Sequence, residues 1–142
     1  MNTTELSSSL RSAVSSLHKG LRKQAASVKE YSMTEVETIG HLSRSASLLP
    51  TELAALTRVK TQSMSQILKK IEEQGIVKRT PSQKDKRKVY ISLTPFGKKI
   101  VEKVKYDKDE WLKNAIDKSL TYKEKDLLTK GLPVLNKLIE SK

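Results

Sequence analysis

Apolar residues recur at steps of three and four along most of the chain, the spacing that places them on one face of a helix. The first such stripe predicts a long helix within residues 1–30, and its members are Leu6, Leu10, Val14, Leu17, Leu21, Ala25 and Val28. Residues 34–37 match a capping box and predict the start of a second helix, which continues through His41 and Leu42 to about Ala46. The chain is therefore expected to open with two helices.

The centre of the chain has the pattern of a helix-turn-helix. Residues 51–57 predict a short amphipathic helix, residues 58–60 a turn, and residues 61–74 a second helix that Gly75 stops. One face of this second helix is apolar and carries Met64, Ile67, Leu68 and Ile71. The opposite face is made of small hydrogen-bonding side chains, namely Thr61, Gln62, Ser63, Ser65 and Gln66. Such side chains suit a DNA major groove, although they also suit a solvated helix surface.

A basic hairpin follows directly and favours the DNA interpretation. Residues 76–80 and 88–93 alternate apolar with polar, as strands with one buried face do, and residues 81–87 predict the turn between them. From position 78 to position 88 there are six basic residues against one acid, Asp85. Basic side chains on a protruding loop can neutralise phosphates, and an arginine at its tip can enter a narrow minor groove.

Two further helices are predicted after the hairpin. A lysine-rich helix follows Thr94, and residues 121–124 can cap a last helix. Gly131 and Pro133 are expected to kink or interrupt that last helix. Its apolar residues are Leu127, Leu128, Leu132, Leu135, Leu138 and Ile139. A single chain has too few other residues to cover the apolar stripes of both the first and the last helix.

These pieces resemble the multiple-antibiotic-resistance regulators of bacteria and archaea, the MarR family. The resemblance rests on the order and spacing of motifs through the central lobe, namely Leu53-Ala54, residues 62–65, Ile71-Glu72, residues 75–77, Arg79, residues 85–87, Leu93-Thr94 and Gly97. Gln66 departs from the pattern, since many relatives have an arginine there. The flanking helices extend the likeness to nearly the full chain.

The resemblance implies a mainly α fold with a small β-hairpin wing, a winged helix-turn-helix plus a helical dimerisation module. Residues 1–142 would form one MarR-like domain, with the DNA-binding lobe at 34–97 and the dimerisation lobe at 1–30 and 98–142. In the family the terminal helices intertwine across a two-fold axis, which implies a homodimer. The dimerisation residues expected here are Leu6, Leu10, Val14, Leu17, Leu132, Leu135 and Ile139. Relatives often bind small phenolic or lipophilic acids, but the sequence names neither effector nor pocket.

The expected function is a sequence-specific DNA-binding transcriptional regulator, a repressor that an effector releases. Gln62, Ser63 and Ser65, with Thr61 and Gln66 beside them, are expected to face base edges, and Arg87 to enter the minor groove. Asp85 is expected to hold the wing turn. The phosphate contacts are assigned to Arg58, Lys60, Arg79, Lys84, Lys86 and Lys88. Thr51, at a helix N-terminus, adds a hydroxyl and a backbone N–H for a phosphate.

Charge and composition agree with a nucleic-acid partner. The formal net charge is +12, which favours double-stranded DNA over an anionic membrane surface, since no apolar run approaches the roughly 20 residues of a spanning helix. The N-terminus lacks the features of a signal peptide, so a cytoplasmic location is expected. The absence of cysteine excludes disulfides, thiolate metal sites and cysteine-based redox sensing.

Enzymatic chemistry finds little support in the sequence. His18 and His41 belong to no metal-spacing motif, and a site built from Glu35, Glu37 and His41 would need a further ligand. No cofactor, metal or catalytic residue is therefore predicted. The rival hypothesis is an architectural or nonspecific DNA-binding protein whose charge supplies nearly all of its affinity.

Overall fold

Six helices and one β-hairpin make up the described part of the chain. The computed structural model describes residues 1–24 and 30–141, so Ala25 and Val28 of the first predicted stripe lie outside the described residues. The elements are α1 (Thr3–Gln24), α2 (Met33–Ser43), α3 (Pro50–Thr57), α4 (Thr61–Glu73), β1 (Val77–Pro81), β2 (Val89–Leu93), α5 (Pro95–Ser119) and α6 (Tyr122–Glu140). The mainly α fold with a small hairpin wing is confirmed.

The core lies in the central lobe, where α2, α3 and α4 pack with the hairpin. Its buried apolar members are Ile39, Leu42, Leu53, Ala54, Met64, Leu68, Ile71, Ile76, Val77, Ile91 and Leu93. The chain between α2 and α3 extends the sheet by one bridge, since Leu48 and Ile91 exchange backbone hydrogen bonds of 2.8 and 2.9 Å. The helix-turn-helix and the hairpin therefore share one core.

The hairpin is antiparallel, with Val77 opposite Leu93, Arg79 opposite Ile91 and Pro81 opposite Val89. The predicted strand bounds are shifted by one residue at β1, because Pro81 ends the strand instead of opening the turn. Proline is tolerated there because it lies at the end of an edge strand, where no further ladder bond is needed from its nitrogen.

The predicted cap of the second helix at Thr34 is wrong. Ser32 is the cap: the Glu35 N–H donates to Ser32 Oγ at 3.2 Å, and Glu35 Oε2 accepts from the Ser32 N–H at 3.2 Å. Both serine and threonine begin an S/T-x-x-E pattern here, and burial decides between them, because Glu35 packs inside while Glu37 is exposed. The helix also ends at Ser43, earlier than the predicted Ala46.

Gly131 and Pro133 were predicted to kink or interrupt the last helix. The interruption is wrong, since α6 runs unbroken through both residues, and the kink stays a prediction. Pro133 removes the N–H that would bond the carbonyl of Thr129, one turn earlier. Thr129 is exposed, so solvent can satisfy that carbonyl. The predicted cap at residues 121–124 is confirmed, and its hydrogen bonds from Thr121 hold the pKa of Glu124 below its usual value.

Helix α5 connects the central lobe to the terminal helices. The Thr94 hydroxyl caps α5 by accepting from the Gly97 N–H at 3.0 Å, and it donates to the carbonyls of Gly75 and Ile76. Further along α5, the ring of Trp111 lies against Gly20 of α1, where an added Cβ would sit 3.2 Å from the indole. No described residue of α6 is buried. The two terminal helices thus leave much apolar surface uncovered in a single chain.

Candidate nucleic-acid interface

The turn between α3 and α4 is closed by Arg58 in a left-handed conformation, with φ of 59°. Its N–H donates to the carbonyl of Ala55 at 3.3 Å, and the Val59 N–H donates to that of Ala54 at 3.1 Å. Left-handed backbone is costly for a residue with a Cβ. The turn is nevertheless tight, and it leaves the side chains of Arg58 and Lys60 exposed.

Helix α4 divides sharply into a buried and an exposed face. Met64, Leu68 and Ile71 are buried to 1% exposure or less. The five predicted base-facing residues, Thr61, Gln62, Ser63, Ser65 and Gln66, are all exposed. The Ser65 hydroxyl donates to the carbonyl of Thr61 at 3.1 Å, so it presents only its acceptor lone pairs outward.

Two ion pairs fix the second half of α4 to its neighbours. Lys70 Nζ lies 2.7 Å from Glu35 Oε1 of α2, and Arg79 Nε of β1 lies 3.0 Å from Glu72 Oε1. Glu35 is only 4% exposed, so its carboxylate depends on Lys70 and the Ser32 N–H for partners. Arg79, predicted to meet phosphate, is thus already paired with a carboxylate. The sequence hid both contacts because their partners lie on different elements.

The wing turn is organised by Ser82, which the sequence analysis missed. Its Oγ accepts from the N–H groups of Lys84 and Asp85, each at 3.2 Å, and the Lys88 N–H donates to the Asp85 carbonyl at 2.9 Å. Serine hydroxyls that bond the backbone two residues on are a known turn device. The serine after Pro81 was the available signal.

At the wing tip, Asp85 holds Arg87 from two directions. Asp85 Oδ1 accepts from the Arg87 backbone N–H at 3.0 Å and from its Nε at 3.2 Å, while Oδ2 accepts from Nη2 at 3.3 Å. These bonds from the Arg87 side chain and backbone hold the pKa of Asp85 below its usual value, so the carboxylate stays ionised. The Arg87 side chain remains 90% exposed.

The other basic candidates are free to meet an anion. Lys60, Lys84, Lys86 and Lys88 are exposed, and none of them forms an ion pair with a described residue. Thr51 is exposed at the start of α3, but Glu52 Oε1 already accepts the Leu49 N–H at 2.9 Å at that helix end. A carboxylate at this N-terminus opposes a second anion, so Thr51 is the weakest of the predicted phosphate positions.

A cavity of about 250 Å³, here called the apolar cavity, lies between α2 and α5. Tyr31, Val36 and Ile39 form one wall, and Ile100 and Val104 of α5 form another. Its rim carries the cations Arg44, Lys105 and Lys108. Burial raises the pKa of the Tyr31 phenol, with Glu30 and Glu35 adding to the effect, so the phenol keeps its proton at neutral pH and can donate a hydrogen bond. The sequence pattern gave no sign of this cavity.

The histidines show no metal-type arrangement in the described chain. His41 Nδ1 lies 3.1 Å from Nη2 of Arg44, and Glu35 is occupied by Lys70 and Ser32. Across residues 1–24 and 30–141, no cluster of three or more histidine, cysteine or acidic residues is placed to hold a metal ion. Within the same residues, no helix has both the length and the apolar character needed to cross a membrane.

Comparison with known proteins shows which family the central part of the chain resembles. The family model described as the MarR family matches residues 31–88, which span the helix-turn-helix and most of the wing. The winged helix-turn-helix of this chain is therefore similar to that of the MarR family. An HTH-type transcriptional regulator of Mycobacterium bovis is similar along the whole length, with 27% identity over 135 residues, or 95% of this chain and 93% of the relative. The likeness to an HTH-type transcriptional regulator thus extends over nearly the whole chain.

Solved structures share the fold of this chain. The transcriptional regulator Tm0710 from Thermotoga maritima superposes with a TM-score of 0.83 at 20% identity, covering 97% of this chain and 96% of its own. A MepR variant from S. aureus, bound to an oligodeoxyribonucleotide, gives a TM-score of 0.70 at 18% identity over 94% of this chain and 97% of its own. At these identities the likeness concerns the fold, and it includes the winged helix.

Proposed function

We propose that this protein binds double-stranded DNA sequence-specifically and regulates transcription as a homodimer on a pseudo-palindromic operator. The observation that carries the proposal is the wing tip, where Asp85 clamps an almost fully exposed Arg87. The ion pair with Asp85 leaves the Arg87 side chain 90% exposed, so its guanidinium remains in contact with solvent. The oligodeoxyribonucleotide bound to the S. aureus MepR variant, which has the same fold, supports the same conclusion.

In this proposal α4 reads the major groove. Gln62 pairs with adenine, and Ser63 accepts or donates at a neighbouring base edge. Ser65 only accepts there, because its hydroxyl hydrogen is donated to the carbonyl of Thr61. Arg87 enters the minor groove, where the negative potential of a narrow groove attracts it. The unpaired lysines Lys60, Lys84, Lys86 and Lys88, together with Arg58, contact phosphates and set affinity and register. Arg79 contributes less, because its side chain is paired with Glu72 and only 38% exposed, whereas the Arg87 side chain is 90% exposed.

The dimer is proposed from the apolar surface of the terminal helices. Leu6, Val14 and Leu17 of α1 are 55%, 56% and 47% exposed, and Leu132 and Ile139 of α6 are 57% and 66% exposed. Rows of exposed large apolar side chains along a helix are unusual in a soluble monomer and mark an interaction surface. A two-fold dimer would place its two α4 helices in successive major grooves about 34 Å apart, which requires an operator of matching half-sites.

Repression and its release by a small effector are the regulatory part of the proposal. A dimer that covers two adjacent grooves excludes other proteins from the same duplex, so bound protein blocks transcription. The apolar cavity supports effector release, because α2 belongs to the DNA-binding lobe whereas α5 leads to the terminal helices. An effector acts only if it binds the DNA-competent and DNA-incompetent arrangements with different affinity.

The test compares two substitutions on an operator selected from random DNA. Gln62→Ala should reduce discrimination among operator variants, because it removes a base contact. Lys86→Ala should weaken all sequences alike and lower the slope of log affinity against log salt by about one, since it removes a single phosphate contact. Fluorescence anisotropy at several salt concentrations measures both effects.

The same titrations decide against the nonspecific alternative. A regulator should prefer its operator to unrelated DNA by about 10³ or more at physiological salt, whereas an architectural protein would bind both almost equally. Equal scaling of every sequence by both substitutions would show that α4 does not read bases.

A further inference from the structure

A second cavity adjoins the apolar cavity on the other side of Arg44. It is an open cleft of about 640 Å³ between the end of α2, the base of the hairpin and the first turns of α5. We call it the head cleft. In contrast to the apolar cavity, its accessible lining is mostly polar: hydroxyls from Ser45 and Ser92, and cations from Arg44, Lys78 and Lys98.

The cations of the head cleft form no ion pairs with described residues. Lys78 and Lys98 pair with no described carboxylate, and Arg44 meets only the His41 ring, at 3.1 Å. Glu102 is the one acidic residue in the lining, which leaves an excess of positive charge. Three cations from three separate elements therefore face one polar space, and they favour a ligand group with more than one negative charge.

The two cavities meet at shared residues. Ser43, Arg44 and Val101 line both, so the two spaces are adjacent. The apolar cavity has room for roughly eight atoms, if each takes about the 30 Å³ of a water molecule. Its size matches a short alkyl chain or an aromatic group.

We propose that the effector of this protein is an amphiphilic organic phosphate, with its apolar body in the apolar cavity and its phosphate in the head cleft. The inference rests on the proposed effector release and adds the chemical class. A simple monocarboxylic acid would satisfy Arg44 or Lys105 at the rim and leave Lys78 and Lys98 unused. A phosphate dianion provides enough charge and enough acceptor oxygens for the cations and for the hydroxyls of Ser45 and Ser92.

The position of the head cleft explains how this ligand can change DNA binding. Lys78 lies on β1, the strand that leads into the wing, and Lys98 lies on α5, the helix that leads to the terminal helices. A phosphate held by both residues ties the wing to α5. The ligand thereby favours one arrangement of the lobe relative to the terminal helices, which is the differential binding that release requires.

The experiment uses n-octyl phosphate, n-octanoate and inorganic phosphate as probes on the full chain without DNA, below the concentrations at which the octyl compounds form micelles. Isothermal titration calorimetry should show octyl phosphate binding at least tenfold more tightly than either other probe. Lys98→Gln should remove most of this tenfold advantage over octanoate, and Lys78→Gln should do the same. Val104→Asn should weaken both octyl ligands, because it places an amide in the apolar cavity.

Lys99→Gln is the matched control, because Lys99 is exposed beside Lys98 but lines neither cavity. Its octyl phosphate affinity should stay within twofold of the wild-type value. Equal affinities for octyl phosphate and octanoate, or equal losses in the Lys98 and Lys99 variants, would overturn the proposal. So would amide shifts confined to α1 and α6, which would indicate detergent-like binding.

Operator binding by ligand-free protein separates this inference from the proposed function. Protein that binds its operator but does not distinguish octyl phosphate from octanoate refutes the head cleft alone. Protein that binds octyl phosphate as described but no DNA retains the ligand site and refutes the regulatory proposal. If both hold, octyl phosphate should weaken operator binding at least fivefold, and the Lys98→Gln variant should lose that response.

Discussion

Two arginines hold positions in which folding gains little from them. Arg58 adopts left-handed backbone, which costs a residue with a Cβ about 1–2 kcal/mol compared with the right-handed form. The ion pair of Arg87 with Asp85 lies in solvent, where such pairs contribute little to stability. Each side chain is instead extended from a tight turn toward solvent. At the scale of single residues, these positions serve contact with an external anion better than they serve the fold.

For Arg58 we predict that stability and DNA affinity change in opposite directions. Arg58→Gly should raise the free energy of unfolding by up to about 1 kcal/mol, because glycine adopts the left-handed turn without strain. The same variant should bind every DNA sequence more weakly, with a salt slope lower by about one, because a phosphate contact is lost. Urea unfolding and anisotropy titrations measure the two effects, and a variant with unchanged DNA affinity would remove Arg58 from the interface.

For Arg87 we predict a loss of operator affinity without a loss of stability. Arg87→Ala should weaken operator binding by about 1–3 kcal/mol if the guanidinium makes a desolvated groove contact. Asp85→Asn keeps the cation but loosens its clamp, so its effect should be smaller and of the same sign. Unchanged operator affinity of a correctly folded Arg87→Ala protein would contradict the assignment of the wing tip.

At the scale of elements, the junction between hairpin and α5 tolerates no side chain at Gly97. A Cβ there would collide with the carbonyl oxygen of Ile76, a backbone atom that cannot rotate away. Gly40 in α2 differs, because its Cβ would meet only the end of the flexible Arg44 side chain, at 3.6 Å. Because Gly97 has no side chain, α5 can begin in close contact with the backbone of Ile76, at the start of the hairpin.

Alanine at these two glycines should have opposite effects on stability. Gly97→Ala should destabilise the protein by about 1–3 kcal/mol, the usual range for overpacking, because the hairpin or α5 must shift. Gly40→Ala should stabilise it by roughly 0.5–1 kcal/mol, the helix preference of alanine over glycine. Thermal unfolding of both variants measures the difference, and a Gly97→Ala protein as stable as the wild type would show that the junction can move.

At the scale of the molecule, the terminal helices leave large apolar side chains exposed in the single chain. Every apolar residue of α6 that was assigned to dimerisation is exposed, and full burial of such a side chain is worth about 1.5–3 kcal/mol. Two copies bring together twice the +12 formal charge. Charges farther apart than about 8 Å are largely screened at physiological salt, so burial should dominate.

We therefore predict that placing Asp at both Leu10 and Leu135 abolishes the dimer and tight operator binding together, because unpaired carboxylates would be buried in the interface. Sedimentation velocity at micromolar concentration measures the first effect and anisotropy the second. Asp at Ser9, a nearby exposed residue outside the apolar stripe, is the control for added charge. A folded wild-type monomer at this concentration, or a double variant that dimerises normally, would contradict the placement of the interface.

How far the sequence predicted this structure depends on how local the cause is. The apolar face of α4, the end of that helix at Gly75 and the cap of α6 at Thr121 could be predicted, because each depends on residues that are close together in the sequence. The choice of Ser32 over Thr34 was missed because it depends on Lys70, which lies 35 positions after Glu35 and is adjacent only in the fold. The same reason hid the Glu72 pairing of Arg79 and both cavities, whose walls come from separate elements.

The hydroxyl of Thr94 makes the long helix α5 a lever. The Thr94 hydroxyl donates to the carbonyls of Gly75 and Ile76, just after α4, and it also caps α5. It therefore connects the end of α4 to the start of a helix of 25 residues. At 1.5 Å per residue that helix is about 37 Å long. A tilt of about 10° at the terminal helices would displace the fastened end by about 6 Å, nearly two base-pair steps of 3.4 Å. In the proposed dimer, a modest rotation far from the DNA would thus be enough to take the two α4 helices out of register with their grooves.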